Sequence, residues 1–411
     1  MNKKWQLLPL CNVATITMGL SPEGSTYNND GIGVPLLNGP TEFGPINPEC
    51  TIFTTDSKRE CLPGDLIFCV RGSTTGRMNW ADQVYSLGRG VCAISGETIA
   101  ETKYIKYCLD IFLPALLKVA GGSTMPNLNK DDIADFKIPY SQDSKEIAAI
   151  LSTYDDLIEN NTRRISLLEK MAEEVYREWF VRLRFPGHAQ VPVHQGVPEG
   201  WERKDLGSVC ELNARSIDSN NCPSMIDYID ISSVGTRKIL KTEPFLISEA
   251  PGRARRIVQH GDIIWSSVRP ENRAYCLMLN PSPKLVVSTG FVVISSKGDI
   301  PYTYIYAVVT DSPFVDHLTN VAKGAAYPAV SKDDFAETNI LIPSPGVLAN
   351  YDECCKPIWS QVSVLHIQNS KLRSTRDRLL SRLLSGRLDV ENLDIQFPPG
   401  MREMGQMHAR P

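Results

Sequence analysis

The sequence predicts an α+β protein in which two similar domains of mixed α/β structure alternate with two long helices. Three observations lead to this prediction. They are a long helical pattern in the middle of the chain, a second one of the same phase near its end, and an internal repeat before each helix. A chain of 411 residues also exceeds one ordinary hydrophobic core, so several units are expected.

The first long helix is predicted over residues 143–186. Residues 145–184 contain neither proline nor glycine, so nothing interrupts a helix there. Asp143 or Ser144 can cap its start, and Pro186 stops it. The apolar positions recur every three or four residues, which is the spacing of a coiled-coil seam. The seam consists of Leu151, Tyr154, Ile158, Asn161, Ile165, Leu168, Ala172, Val175 and Trp179.

The second long helix is predicted over residues 345–388, because adding 204 to each position of the first seam gives a second, mostly apolar seam. This seam consists of Cys355, Ile358, Val362, Leu365, Asn369, Leu372, Arg376, Leu379 and Leu383. Pro357 is predicted near the first turn, and Gly386 is predicted to end the helix. A seam this narrow favours a partner helix, so the two helices, each about 60 Å long, are predicted to pair with each other.

The internal repeat links the segments that precede the two helices. Trp5 recurs as Trp201, 196 residues later. The Gly-Asp turn that precedes an apolar strand at position 65 recurs at position 262. The separation grows to 204 at the helices, as expected when two copies differ by small insertions. Residues 14–60 show no likeness to residues 210–257. The repeat therefore predicts a common frame that carries two different surfaces.

These patterns divide the chain into five segments. They are a first domain over 1–142, the first helix over 143–186, a second domain over 187–344, the second helix over 345–388 and a tail over 389–411. Residues 187–197 are polar and contain proline, so they are predicted to be a linker. The tail is predicted to be disordered.

The composition is that of a globular protein, with 42% hydrophobic and 22% charged residues and no apolar run long enough for a signal or membrane-spanning sequence. Eleven scattered cysteines without a CxxC pair indicate reduced thiols in the cytoplasm, although the adjacent Cys354 and Cys355 have no explanation. The six histidines form no metal-binding cluster, so no metal is expected. The net charge of −4 does not indicate nucleic acid, but basic stripes lie within residues 251–273 and 371–387.

Motifs of catalysis are almost absent from the sequence. No phosphate-binding glycine loop, nucleophile elbow or amino-methyltransferase tetrapeptide occurs. Asp65, Glu101 and Lys103 resemble the two carboxylates and lysine of a metal-dependent nuclease. Such short patterns arise by chance, and the second copy keeps only Asp262. The Gly-Asp pair is better explained as the turn before a strand in both copies.

Two loops in each copy carry groups suited to DNA. One follows the Gly-Asp strand, at residues 71–77 and 269–273, where arginine and small polar side chains match base edges and phosphates. The other, at residues 121–130 and 323–332, combines small residues and hydroxyls with a cation. Ordinary surface loops explain these features about equally well. With three arginines from a basic stripe, the candidate DNA-binding residues are Arg71, Ser73, Thr74, Thr75, Arg77, Ser123, Thr124, Lys130, Arg253, Arg255, Arg256, Arg269, Asn272, Arg273, Lys323, Tyr327 and Lys332.

The whole layout resembles the specificity subunits of type I restriction-modification systems. The helical phrases carry the likeness. Residues 148–180, AAILSTYDDLIENNTRRISLLEKMAEEVYREWF, resemble the family's central conserved region, and residues 376–388, RDRLLSRLLSGRL, resemble its distal one. The likeness covers residues 1–393, because the Gly-Asp strands and the loops before each Lys-Asp-Asp also match the family's recognition domains.

The resemblance implies two target-recognition domains separated by two conserved helices that form an antiparallel coiled coil with pseudo-two-fold symmetry. It implies a non-catalytic subunit that binds an asymmetric, two-part site in double-stranded DNA, with one domain reading each half and the helices setting the spacing. Two methyltransferase subunits and two restriction-translocase subunits are the implied partners. S-adenosylmethionine, ATP and Mg are expected only in those partners, so this chain is expected to hold no cofactor.

Some expectations on the helices depend on this resemblance. Trp179, Phe180, Arg378 and Arg382 are candidates for docking the methyltransferase subunits, although a core role is slightly favoured for the aromatic pair. Arg376 interrupts the seam, which predicts that the far end of the helix pair is open or faces a partner. Two alternatives remain: the metal-dependent nuclease, and a coiled-coil assembly scaffold that does not bind DNA.

Overall fold

The computed structural model describes residues 5–120, 126–217, 223–324 and 327–401. The chain divides into two compact units, one made of residues 1–160 and 369–411 and the other of residues 161–368. No helix in the described ranges is long and apolar enough to cross a membrane.

The first half of the chain contains the following elements. The strands are β1 Gln6–Pro9, β2 Thr15–Met18, β3 Tyr27–Asn28, β4 Val34–Leu37, β5 Phe53–Thr54, β6 Glu60–Cys61, β7 Leu66–Cys69, β8 Met78–Trp80, β9 Tyr85–Leu87, β10 Val91–Ser95 and β11 Lys137–Tyr140. The helices are α1 Ile99–Leu117, α2 Lys130–Ala134 and α3 Ser144–Tyr176. Helix α3 belongs to both units, because the division falls between Asn160 and Asn161.

The second half contains a similar series. The strands are β12 Val193–His194, β13 Val197–Pro198, β14 Glu202–Asp205, β15 Cys210–Leu212, β16 Met225–Ile229, β17 Val234–Gly235, β18 Lys238–Ile239, β19 Glu243–Leu246, β20 Ala254–Ile257, β21 Ile263–Ser266, β22 Tyr275–Leu277, β23 Leu285–Ser288, β24 Phe291–Ser296 and β25 Asn339–Ile342. The helices are α4 Leu206–Val209, α5 Tyr302–Thr310, α6 Ser312–Val321, α7 Lys332–Ala336 and α8 Pro345–Leu384. Helix α8 also belongs to both units.

The repeat is visible in a four-stranded sheet that has the same topology in each unit. Its strand order is β2-β10-β7-β8 in the first unit and β15-β24-β21-β22 in the second. Ile94 of β10 lies opposite Ile16 and Leu66, and Ile294 of β24 lies opposite Leu212 and Ile263. The equivalent β-strands therefore pair in the same register, as the repeated sequence predicts. A two-stranded sheet closes each domain, β1 with β11 and β14 with β25.

The remaining sheets differ between the units. The first unit has a five-stranded sheet of order β3-β5-β4-β9-β6, and the second has a four-stranded sheet of order β19-β16-β23-β20. Strands β3 to β6 and β16 to β20 come mostly from residues 14–60 and 210–257, the stretches without mutual likeness. The prediction of a common frame with two different surfaces is consistent with this difference.

Each Gly-Asp pair forms the predicted turn before a buried strand. Gly64 and Gly261 have φ angles of 90° and 87°, which glycine adopts without a steric penalty. The carboxylate of Asp65 accepts the N–H of Leu62 at 2.8 Å. The carboxylate of Asp262 accepts the N–H of Gln259 at 2.7 Å in the second unit. Both aspartates are therefore built into the turn itself.

Helix α3 begins where the sequence predicts and ends earlier than predicted. It starts at Ser144 and closes in a π-helical turn, Arg177–Val181. Leu183 then adopts a φ of 55°, and the N–H of Arg184 donates to the carbonyl of Glu178. This left-handed residue ends the helix before Pro186 is reached, which the sequence pattern does not reveal because leucine rarely adopts that conformation.

Pro357 lies farther into helix α8 than the sequence predicts. The helix starts at Pro345, so Pro357 lies in its interior, on an exposed position, and not near the first turn. The end agrees with the prediction. Gly386 has a φ of 67°, and the N–H groups of Gly386 and Arg387 donate to the carbonyls of Leu383 and Arg382. This is the Schellman arrangement, which glycine favours.

Within the first unit the two long helices contact each other in opposite chain order. Arg376 of α8 forms an ion pair with Asp155 of α3, and the side-chain amide of Asn369 donates to the carbonyl of Ile158 at 3.5 Å. Within the second unit, Ile165 of α3 and Leu365 of α8 belong to one hydrophobic cluster. All predicted seam residues are buried or half-buried, including the apolar positions Leu151, Tyr154, Ile158, Ile165, Leu168, Val175, Ile358, Val362, Leu365, Leu372, Leu379 and Leu383.

The charge of Arg376 predicted that the far end of the seam is open or faces a partner. Instead, Arg376 is paired within the first unit. Its guanidinium contacts the carboxylate of Asp155 at 2.5 Å, and that carboxylate also accepts the hydroxyl of Tyr107 at 2.6 Å. Burial, together with the neighbouring carboxylate, raises the pKa of Tyr107, so the hydroxyl remains a donor. The network joins α1, α3 and α8, so the charge is matched inside the first unit.

Removing the carboxylate from this network is expected to destabilise the first unit. Asp155→Ala leaves the guanidinium of Arg376 and the hydroxyl of Tyr107 without their shared acceptor, so the free energy of unfolding falls by about 2 kcal/mol. The matched control is Asp156→Ala, since Asp156 is half exposed and lies 3.8 Å from Lys103. The control is expected to change stability by less than about 0.5 kcal/mol. Equal effects in urea titrations of the two variants would contradict a structural role for the network.

Two segments are more ordered than the sequence predicts. Residues 187–197 are not a plain linker, because β12 pairs with β13 across Gln195 and Gly196, whose φ angles are 50° and 79°. Two positive φ angles in succession are the geometry of a tight hairpin turn. The tail is also ordered as far as residue 401, because Val390 and Met401 are buried in the core of the first unit. Residues 402–411 lie outside the described ranges.

Candidate nucleic-acid interface

The two predicted DNA-binding loops of the first unit lie side by side. The N–H of Gly72 donates to the carbonyl of Pro126 at 3.1 Å, and Arg71 forms a β-bridge with Asn127. Residues 70–77 and 126–128 are called the first loop pair below. The structure therefore joins two stretches that the sequence places about 50 residues apart.

The second unit builds the same arrangement. The N–H of Arg269 donates to the carbonyl of Pro328 at 2.7 Å, and Val268 forms a β-bridge with Ala329. Residues 267–274 and 327–330 are called the second loop pair. In both units a proline carbonyl accepts the N–H of the residue that follows the bridge, so the two loop pairs are equivalent.

The register between the loop pairs defines which positions are equivalent. The N–H of Cys69 donates to the carbonyl of Arg77, and the N–H of Ser266 donates to the carbonyl of Ala274. These equivalent bonds match position 77 with position 274. The two loops therefore occupy equivalent places, as the sequence predicts, but the arginines of the first loop do not coincide with those of the second.

The positions that do coincide share an unusual backbone. Gly72 and Gly76 have φ angles of 86° and 94°. Their counterparts in the second unit are Arg269 and Arg273, with φ angles of 51° and 52°. A left-handed backbone favours glycine, so the second unit places two arginines where the fold itself favours glycine.

In the first loop pair, three of the predicted residues present their side chains to solvent. Arg71, Ser73 and Arg77 are exposed. The guanidinium of Arg77 lies 5.9 Å from the centre of the Phe43 ring. A basic group held against an aromatic ring in this way has a restricted orientation.

The other predicted residues of this region are less accessible or not described. Thr75 is buried, and its hydroxyl lies within hydrogen-bonding distance of the carbonyls of Gly72 and Pro126, so it has a structural role in the loop. Thr74 is half-buried, and Lys130 is exposed at the start of α2. The predicted residues Ser123 and Thr124 lie outside the described ranges.

In the second loop pair most of the predicted side chains are exposed. The exposed residues are Arg269, Asn272, Lys323, Tyr327 and Lys332. Arg273 is half-buried instead, and its guanidinium donates to the hydroxyl of Ser312 at 3.1 Å. The second loop pair, together with the adjoining Lys323 and Lys332, therefore presents three cationic side chains and one aromatic ring to solvent.

The arginines of strand β20 approach the second loop pair through a turn. The carbonyl of Arg253 accepts the N–H of Thr289, and the guanidinium of Arg256 donates to the carbonyl of Thr289 at 3.1 Å. The next residue, Gly290, accepts the N–H of Ser267 at the start of the loop. Arg256 is half-buried, and this burial lowers its pKa. The side chains of Arg253 and Arg255 are exposed. Arg253, just before β20, and Arg255 within it can therefore add positive charge beside the second loop pair.

The residues of the nuclease alternative have structural partners. Asp65 accepts the hydroxyl of Ser95 at 2.5 Å, and Glu101 accepts the N–H of Thr98 as part of the cap of helix α1. Lys103 contacts Asp156 of helix α3. No group of three potential metal ligands occurs in the described part of the chain. The arrangement does not favour a nuclease site.

The aromatic residues near the end of α3 form a core. Phe180 is buried, with its ring centre 4.9 Å from those of Tyr304 and Tyr351. Trp179 is half-buried and contacts Tyr351 edge-on at 5.8 Å. The core role that the sequence favours slightly over docking is therefore confirmed for Phe180, whose side chain is buried. Arg378 and Arg382 are exposed, as a docking role requires.

The long helices also carry a set of exposed apolar side chains that was not predicted from the sequence. Their exposed fractions range from 46% to 62%, in Leu157, Leu167 and Met171 of α3 and Val364 and Ile367 of α8. All of them lie outside the seam positions. Apolar residues that a two-helix seam does not use are a signal that could have identified them.

The chain matches the family model for the type I restriction modification DNA specificity domain twice, over residues 2–170 and 198–347. It is 24% identical over 310 residues to the MjaIX specificity subunit of a type I restriction enzyme from Methanocaldococcus jannaschii, covering 72% of this chain and 70% of that protein. It is 22% identical over 186 residues to the HindI specificity subunit from Haemophilus influenzae, covering 44% and 39%. The crystal structure of a type I S subunit from M. genitalium has a similar fold, with a TM-score of 0.59, 16% identity and coverage of 93% and 97%.

Proposed function

Since the chain belongs to the family of type I restriction-modification DNA specificity subunits, we propose that each of its two domains reads one half of an asymmetric, two-part DNA sequence. One observation carries this proposal. The same loop pair occurs at the same place in both domains, but with different side chains at equivalent positions. A shared frame with different contact groups suits the reading of two different half-sites.

The two long helices act as the spacer between the half-sites in this proposal. The contacts of Asp155 with Arg376 and of Ile158 with Asn369 support an antiparallel coiled coil. A buried asparagine in such a seam fixes the register of the helices, because only one alignment satisfies its amide. A fixed register would set the distance between the domains, and therefore the gap in the DNA site.

Partner subunits supply the chemistry in the proposed complex. Two methyltransferase subunits would bind S-adenosylmethionine, and two restriction-translocase subunits would bind ATP and Mg, so this chain itself would act without a cofactor in the cytoplasm. The exposed apolar residues of the helices are suited to docking the methyltransferase subunits, because large apolar side chains are common in the centres of interfaces. Leu167 and Met171 lie one turn apart on α3, as one docking surface requires.

Exchange of one domain tests the independent reading of the half-sites. Replacing residues 1–142 by the equivalent domain of a relative with another target is expected to change one half of the recognised sequence and leave the other unchanged. Mapping of methylated adenines in cells that carry the methyltransferase partner gives both halves at once. The reciprocal exchange of residues 198–344 is the control and should change only the other half. A change of both halves by a single exchange would contradict independent reading.

A further inference from the structure

Arg269 has a backbone conformation that is unfavourable for arginine, at a position where the fold could use glycine. Its φ and ψ angles are 51° and 68°, in the left-handed region, where a side chain is unfavourable. The equivalent Gly72 has the same kind of backbone and makes the same hydrogen bond to a proline carbonyl. The first domain therefore shows that glycine suffices for the loop. An arginine in this place indicates a use for its side chain.

The side chain of Arg269 is held by an aromatic ring. Its guanidinium carbon lies 4.8 Å from the ring centre of Tyr327, and 70% of Tyr327 is exposed. A large aromatic residue so exposed beside a cation contributes little to a core, but it orients the guanidinium through a cation–π contact. In the sequence repeat the counterpart of Tyr327 is Met125, so both members of this stacked pair occur only in the second copy.

The guanidinium of Arg269, stacked on Tyr327, is best matched by guanine among the bases. A guanidinium carries five N–H donors in the plane of a rigid fork, and a ring that packs on its face does not occupy that plane. In the major groove, guanine presents two neighbouring acceptors, N7 and O6, that match such a fork. Adenine presents one acceptor and one donor at these places, so it matches less well. The exposed Lys323 and Lys332 of the same region are suited to phosphates, which need charge but no fixed orientation.

We infer that Arg269, stacked on Tyr327, reads a guanine through the major groove in the half-site of the second domain. Tyr327 is the positioning residue, and Arg269 makes the base contact. This inference rests on the proposed function and adds to it the residue and the base. The first domain, with Gly72 at the equivalent place, reads its own half-site by other groups.

The test uses the full-length chain in complex with its methyltransferase partner and selection from randomised DNA. Arg269→Gly is the central variant, because it restores the residue that the backbone favours. It is expected to leave the melting temperature unchanged or higher and to lower the preference for guanine at one position roughly 10- to 100-fold. The preferences at all other positions should remain those of the wild type. Arg269→Lys keeps the charge but not the fork, and is expected to lose most of the same preference.

Variants of the ring test the positioning role. Tyr327→Phe keeps the cation–π contact and is expected to behave as the wild type. Tyr327→Ala removes the contact and is expected to lower the guanine preference about 2- to 5-fold. Equal behaviour of the two ring variants would overturn the role of Tyr327.

Three outcomes for Arg269→Gly would overturn the base contact. In the first, the variant binds all sequences equally weakly, which indicates a phosphate contact. In the second, the altered base preference lies in the half-site of the first domain. In the third, the base preferences are identical to those of the wild type. All three leave the proposed function intact, since the wild-type complex is still selective in them. A wild-type complex without any sequence preference would instead contradict the proposed function, and this inference with it.

Discussion

Inserting four helix-forming residues after Asn160, and four after Gln368 in the second long helix, is expected to lengthen the unread gap of the DNA site by about two base pairs. Four residues add about 6 Å to a helix and turn it by roughly 400°, so the apolar seam keeps its phase. Neighbouring base pairs are about 3.4 Å apart. Both half-sites should stay unchanged, and sites with the original gap should be bound at least about 10³-fold more weakly. Mapping of methylated adenines across a genome measures the gap directly.

A two-residue insertion at both places is the control for this experiment. It rotates the following seam positions by roughly 200°, so Ile165 and Leu365 would no longer face their partners. Loss of methylation at every gap length is therefore expected. If the four-residue variant instead kept the original gap, the helices would not be the spacer. A change in the bases read would show that the insertion had disturbed the domains.

Replacing Phe180 by alanine is expected to lower the free energy of unfolding of the second unit by about 3–5 kcal/mol. The side chain is buried among the rings of Tyr304 and Tyr351, each 4.9 Å away, and alanine would leave a cavity between them. Trp201 contributes a further ring at 5.8 Å. Since the cluster joins the end of α3 to α5 and α8, its loss affects the whole unit. Urea unfolding of the full-length chain measures the effect.

The neighbouring Val181 provides the matched control. It is 58% exposed, so Val181→Ala should change stability by no more than about 0.5 kcal/mol. If Phe180→Ala were as stable as this control but failed to bind the methyltransferase partner, the side chain would serve docking and not the core. The buried position of Phe180 predicts the opposite result.

The parts of the fold that follow a period or a repeat could be predicted from the sequence. The seam spacing predicted the two long helices, the capping residues predicted the start of α3 at Ser144, and Gly386 predicted the end of α8, whose last helical residue is Leu384. The matched Gly-Asp turns gave equivalent β-strands, which pair in equivalent sheets. In each case a local physical preference agrees with the global structure, so the pattern is sufficient.

The parts that depend on a backbone conformation unusual for the residue could not be predicted. Leu183 and Gln195 take the left-handed conformation, which ends α3 early and turns a linker into a hairpin. Arg269 also takes this conformation, at the position where the first loop has Gly72, so the residue type did not indicate the shared backbone. The adjacency of the loops was also hidden, because the hydrogen bond from Gly72 to Pro126 joins distant positions. Non-local contacts of this kind leave no periodic signal in the sequence.

The first unit is assembled from two distant stretches of the chain, since Val390 and Met401 complete a core that begins near residue 10. During translation its opening 160 residues leave the ribosome long before residues 369–401 have been made. The second unit is continuous and can finish folding first. A stop codon that removed residues from Val390 onwards would therefore harm the part of the molecule that was synthesised earlier.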